Sequence, residues 1–251
     1  MANRPRPVEE DRQYNQHQCV QANCSLKKEN LVKLAFGNAS VRQYNGELCY
    51  IKPSGVPVDQ LYPDQIAVVV VATGEQIAGS KASVDTPIHL EVYRNFPQVK
   101  AITHTHSTNA TSWAQAMKPI PCLGTTHADY FNGPVPVARQ LTTLEIDNNY
   151  EANLGKAVVE WYNENGTTPL DVPAILLPAH GCLTFGRTYE AAVEAAVVLE
   201  EIATTAFMTL QLMLMSHIDK SVLADPLQGN VEDLYKKHYS RKHGPSKYYG
   251  Q

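Results

Sequence analysis

Val99-Lys100-Ala101-Ile102-Thr103-His104-Thr105-His106-Ser107 is an apolar run that ends in two histidines one residue apart. The run predicts a strand entering a core. Side chains two apart on a strand share a side, so His104 and His106 present both imidazoles to one point. A third histidine, His180, closes a second apolar run, Ala174-Ile175-Leu176-Leu177, and is followed by Gly181. Three imidazoles with another position left open form the donor set of a catalytic rather than a structural zinc ion. With 9 histidines in 251 residues, a His-x-His pair alone is a weak signal. The strand exit, the third histidine in matching context and the polar residues around all three raise it.

Outward from this core, the chain alternates between helix and strand signals. Residues 10–33 have helix-compatible spacing, and 40–44 with 47–51 flank Asn45-Gly46, a hairpin signal in which both central residues take positive φ. Residues 66–72 form a β-branched run suited to a buried strand, turned by Thr73-Gly74-Glu75. Thr86-Pro87 reads as an N-cap and first helical residue, leading a helix over 88–96 that Pro97 stops. A helix is expected over 110–117, loop over 119–140, helix over most of 142–163, and a strand at 174–177. Thr188 caps a long helix to about residue 215, apolar enough for burial on most sides. The expectation is one mixed α/β domain over residues 1–251, with 1–9 a loose lead-in.

The bulk numbers fit an ordinary globular chain: 43% hydrophobic, 18% charged and a net charge of −4. That charge implies no general attraction to nucleic acid or to an anionic membrane. Residues 1–7 lack the apolar core of a signal peptide, and the 66–72 run is too short to span a bilayer. Five cysteines (Cys19, Cys24, Cys49, Cys122, Cys182) without Cys-x-x-Cys spacing read as reduced thiols, so a cytoplasmic location is expected. The stretch 235–251 is rich in Lys, His and Tyr, which in isolation describes a solvated basic tail.

A resemblance adds to these readings. Gly37-Asn38, Lys52-Pro53-Ser54-Gly55, Ser83-Val84-Asp85-Thr86-Pro87-Ile88-His89, His104-Thr105-His106-Ser107, Gly124-Thr125-Thr126-His127-Ala128-Asp129-Tyr130 and His180-Gly181 occur in order. With the ending Lys237-His238-Tyr239-Ser240-Arg241-Lys242-His243-Gly244 and Tyr248-Tyr249-Gly250-Gln251, they closely resemble the L-ribulose-5-phosphate 4-epimerases of the class II aldolase/epimerase family. The resemblance implies an αβα sandwich around a mainly antiparallel sheet, the class II aldolase and adducin-head fold. It implies a homotetramer with active sites between subunits, a sugar-phosphate substrate, and interconversion of L-ribulose 5-phosphate and D-xylulose 5-phosphate. Alternatives on the same scaffold are a sugar-phosphate aldolase and a non-catalytic adducin-head-like binding module; the complete histidine set speaks against the latter.

The resemblance also implies roles. His104, His106 and His180 are the metal ligands, with zinc favoured because imidazole sites suit it. Asp85 is either a fourth ligand or a local base, its bland reading being a helix-start carboxylate. Family aldolases tend to carry Glu there. Asp129 and Tyr249 match a pair that handles the proton of the C4 oxygen across a subunit boundary, with His238 orienting or assisting. Phosphate is expected among Gly37, Asn38, Ser54, Gly55, Ser83 and Val84, residues that otherwise need be no more than turns. Val84 departs from the family pattern of two serines before the acidic residue, and Lys52 either adds charge nearby or lies on the surface.

Overall fold

A computed structural model describes residues 8–218, 231–245 and 247–248. Seven strands form one sheet in the order β4-β3-β2-β1-β5-β7-β6: β1 Asn38–Arg42, β2 Leu48–Ile51, β3 Ala67–Val70, β4 Gln76–Ala78, β5 Ala101–Thr105, β6 Ala174–Leu177 and β7 Gly181–Gly186. Every pairing between neighbours is antiparallel. β5 carries His104 and lies between β1 and β7, buried at all five positions.

Helices cover both faces. α1 (Val8–Lys28) and α7 (Tyr189–Ile218) pack on one side, α2 (Thr86–Asn95) and α6 (Tyr150–Glu164) on the other. The strand alternation explains this. Ala39, Val41, Tyr50 and Val68 point toward the α1 side, while Cys49, Ile51, Val69 and Ile102 join the larger core with Ile88, Val92 and Val158. The expected mixed α/β sandwich around an antiparallel sheet is present.

Several local expectations are corrected. The hairpin does not use a two-residue turn: Gln43 N donates to Leu48 O at 2.8 Å, and of Asn45 and Gly46 only Gly46 has positive φ, +85°. Asp85, not Thr86, is the N-cap of α2. The helical stretch over 142–163 is two helices, α5 (Thr143–Asp147) and α6, parted where Asn149 turns left-handed at φ 57°. Residues 125–130, expected as loop, form α4 (Thr125–Tyr130). The C-terminal stretch is no solvated tail over its described part, because α8 (Val231–His243) packs on α4.

α7 also departs from expectation. Ala192, Ala196, Leu199, Ala203 and Ala206 are buried, but farther along Phe207, Met208, Leu212 and Leu214 are exposed, so among its described side chains burial is one-sided and does not extend past Ala206. By length and composition alone, its stretch Tyr189–Leu214 is apolar enough to cross a membrane. Its buried face instead rests on β5 and β7. α3 (Thr108–Gln115) fills the space between α7 and the ends of β6 and β7. All five cysteines are free thiols.

Candidate metal centre

His104 occupies the penultimate position of β5, and His106 lies just past the strand end, one residue before the N-cap of α3. His180 sits in the turn between β6 and β7. Antiparallel pairing of β7 with β5 sets Cys182 opposite Thr105, so the turn carrying His180 lies beside the end of β5. The ligand nitrogens of the three histidines all fall within 4.8 Å of one another. Their ring centroids are 4.8 to 4.9 Å apart.

The donor chemistry fits a divalent cation. His104 Nδ1 donates to the Cys182 carbonyl at 3.0 Å, which leaves its Nε2 lone pair free for a metal. That Nε2 faces His106 Nε2 at 3.0 Å, an approach that a shared cation accounts for. Burial pushes His104 down to about 4 and lowers His106 and His180 as well, so neutral imidazoles face the centre at pH 7. The Tyr150 hydroxyl lies 3.4 Å from His180 Nδ1, a contact not visible in the sequence.

Two backbone features make the convergence possible. A Cβ on Gly181 would lie 2.6 Å from the Thr105 carbonyl oxygen, 3.0 Å from His106 and 3.3 Å from His104. Ala179 takes φ 55°, a left-handed conformation that costs a non-glycine residue about 1–2 kcal/mol and turns the chain into His180.

A cavity of about 250 Å3 opens beside the histidines. All six residues expected around phosphate line it: Gly37, Asn38, Ser54, Gly55, Ser83 and Val84. Asp85, Lys52, His106 and His180 share the same lining. The Asp85 carboxylate makes no cap bond to α2; its Oδ2 accepts from Asn38 Nδ2 at 2.7 Å and from Ser83 Oγ at 3.4 Å. Asn38 Oδ1 is buried and finds no hydrogen-bond partner among the described residues. Lys52 is not a surface residue: it is 2% exposed, and among the described residues its ammonium reaches the Ala35 and Pro53 carbonyls, each at 3.4 Å. Burial lowers its pKa from the usual lysine value.

Asp129 and His238 also come together, but elsewhere. Asp129 on α4 accepts from Arg241 Nε at 3.1 Å, Arg241 Nη2 at 2.8 Å and His238 Nδ1 at 3.1 Å, while His243 Nε2 donates to its backbone carbonyl at 2.8 Å. Neither Asp129 nor His238 lines the cavity beside the three histidines. Tyr249 lies outside the described residues. Arg241, to which the sequence assigns no role, is the principal partner of Asp129. A larger cleft of about 770 Å3 between α4 and α8 contains none of the three histidines.

The comparisons with known proteins agree with this fold. The chain is similar to an L-fuculose 1-phosphate aldolase at 22% identity and TM-score 0.70, covering 90% of this chain and 96% of that one. It is similar to L-fuculose 1-phosphate aldolase from Glaciozyma antarctica PI12 at 21% identity and TM-score 0.67, covering 96% of this chain and 86% of that one. It is also similar to l-fuculose-1-phosphate aldolase from Thermus thermophilus at 24% identity and TM-score 0.59, covering 85% of this chain and 98% of that one. At these identities the likeness is one of fold. The sequence profile of the Class II Aldolase and Adducin N-terminal domain family matches residues 17–207, and the chain belongs to that family.

Proposed function

We propose that this chain is a metal-dependent L-ribulose-5-phosphate 4-epimerase that interconverts L-ribulose 5-phosphate and D-xylulose 5-phosphate. The observation that carries the reading is the convergence of His104, His106 and His180 beside a polar cavity lined by Gly37, Asn38, Ser54, Gly55, Ser83 and Val84. The metal is zinc, and the enzyme is a cytoplasmic homotetramer. Neighbouring copies bring the Asp129 and Tyr249 groups to one another's histidines. That arrangement accounts for an Asp129 cluster lying outside the histidine cavity of its own chain.

C4 of the substrate bears no acidic proton, because the carbonyl is at C2, so inversion at C4 requires the C3–C4 bond to break. Asp129 or Tyr249 takes the proton of the C4 hydroxyl as that bond opens, and the bonding pair moves toward the C2 carbonyl. His104, His106 and His180 would hold a divalent cation, which when bound would supply the positive charge that stabilises the negative charge developing on the fragment left behind. The phosphate stays anchored by the Gly55 and Val84 backbone N–H groups, the Ser54 and Ser83 hydroxyls and the Lys52 ammonium, since Ser54 N and Ser83 N already donate to the Lys81 and Lys52 carbonyls. The two-carbon aldehyde turns over, C3–C4 re-forms on its other face, and the partner acid returns the proton. Asp85, held by Asn38 and Ser83, assists at the metal or as a local base.

Incubating the zinc-loaded protein with L-ribulose 5-phosphate tests this directly. D-xylulose 5-phosphate is the expected product. Free glycolaldehyde phosphate without it would assign the scaffold to an aldolase, and no turnover by fully metallated protein would end the catalytic reading. Tyr249→Phe is expected to slow epimerisation by about a hundredfold or more.

A further inference from the structure

We infer that Glu200 is a positioning residue of the metal centre, setting the distance between His106 and His180 through α3. The assignment rests on the metal reading of the three histidines. His104 is held in the β5 ladder, but His106 is not: only His106 and Ser107 lie between the end of β5 and the first residue of α3. The place where α3 begins therefore fixes His106. The other end of the same helix reaches the third ligand, since the Ala114 carbonyl accepts from Ala179 N, adjacent to His180, at 3.0 Å. α3 is thus a short strut with one metal ligand at each end.

Glu200 on α7 holds the near end of that strut. Its Oε1 accepts from Asn109 N at 2.8 Å and Asn109 Nδ2 at 2.9 Å, and its Oε2 accepts from Ala110 N at 3.0 Å. The N-cap Ser107 makes no side-chain cap bond, so a carboxylate from another helix satisfies these N–H groups. A second strap, Trp113 Nε1 to the Ala203 carbonyl at 3.0 Å, ties the far half of α3 to the same helix. Losing the Glu200 carboxylate leaves the N-terminal end of α3 free to shift while the Trp113 contact and the core remain. That shift moves His106 against its fellow ligands.

Co(II) titration of the purified, metal-stripped protein tests the assignment, read by the visible absorption of bound Co(II) and by chelator competition. Glu200→Ala is expected to lower Co(II) affinity by about tenfold to a hundredfold, the range for lost outer-shell partners, and to alter the Co(II) absorption bands. Glu200→Gln keeps one acceptor oxygen and should fall between Glu200→Ala and the unmodified protein, and it serves if Glu200→Ala does not fold. Tyr162→Phe removes a buried hydroxyl bonded to the Val172 carbonyl and should bind Co(II) as the unmodified protein does. Unchanged affinity and absorption bands in the Glu200 variants would overturn the positioning role alone. Failure of the unmodified protein to bind Co(II) would overturn the metal reading and the assignment together.

Discussion

Each of the three histidines depends on a neighbour that chemistry alone would overlook. Gly181 is the sharpest case, because any side chain there runs into Thr105, His106 and His104. Gly181→Ala should cost about 1–3 kcal/mol by overpacking, seen in thermal denaturation, and should also depress Co(II) affinity. An unchanged cobalt titration would show that the rings reach their places without that close approach. The imidazole trio was legible because strand periodicity and apolar run ends are local features of the sequence. The resemblance placed Asp85 beside the histidines, and it does line their cavity, yet its bond to Asn38 was not legible because Asn38 is 47 residues away in the chain. Glu200, Tyr150 and Arg241 escaped sequence reading for the same reason: each acts across 30 or more residues of chain.

Elements were legible wherever a periodic signal ran unbroken. β6 was expected and found; β1, β2, β3 and β5 were found with shifted ends, β5 stopping at Thr105 short of His106; β4 and β7 carried too little β-branched alternation to be seen. α4 hid behind Gly124-Thr125-Thr126, a cluster that reads as loop, and α8 behind its charge. The joint between α5 and α6 came from Asn149, whose left-handed turn no hydrophobic pattern announces. α5 starts on a reciprocal cap in which Thr142 and Glu145 bond each other's backbone N–H. Thr142→Ala should therefore cost about 1 kcal/mol, measurable as a lower denaturant midpoint with unchanged slope. α8 is pinned to α4 by the Arg241–Asp129 ion pair together with His238 and His243, which also bond Asp129. Asp129→Asn should accelerate amide hydrogen exchange across α8; unchanged exchange would show that the other contacts of α8 suffice to hold it.

At the scale of the whole molecule, buried neutral histidines set the acid limit. His127 donates from Nε2 to the Gly133 carbonyl, and burial lowers it to about 4; His89, fully buried against Ser40, falls to about 3. Unfolded histidine titrates near 6.5. As pH falls below that value the unfolded chain takes up protons that the folded chain refuses, so stability drops from about pH 6.5 down to about 3, where His89 at last protonates in the folded chain. The melting temperature of the metal-free protein should follow this slope, and His127→Gln should flatten it. A bound divalent ion acts in the opposite sense by mass action. At a hundredfold excess over its dissociation constant it adds about 2.7 kcal/mol, or roughly 5–10 °C in melting temperature, which a chelator should abolish. His104 is locked inside the central ladder, whereas Ser54, Gly55, Ser83 and Val84 ride on loops at the rim. Under the proposed function, substitutions on those loops would change how the phosphate is gripped while the strand that carries His104 stays put, so substrate preference can drift independently of the ligand set.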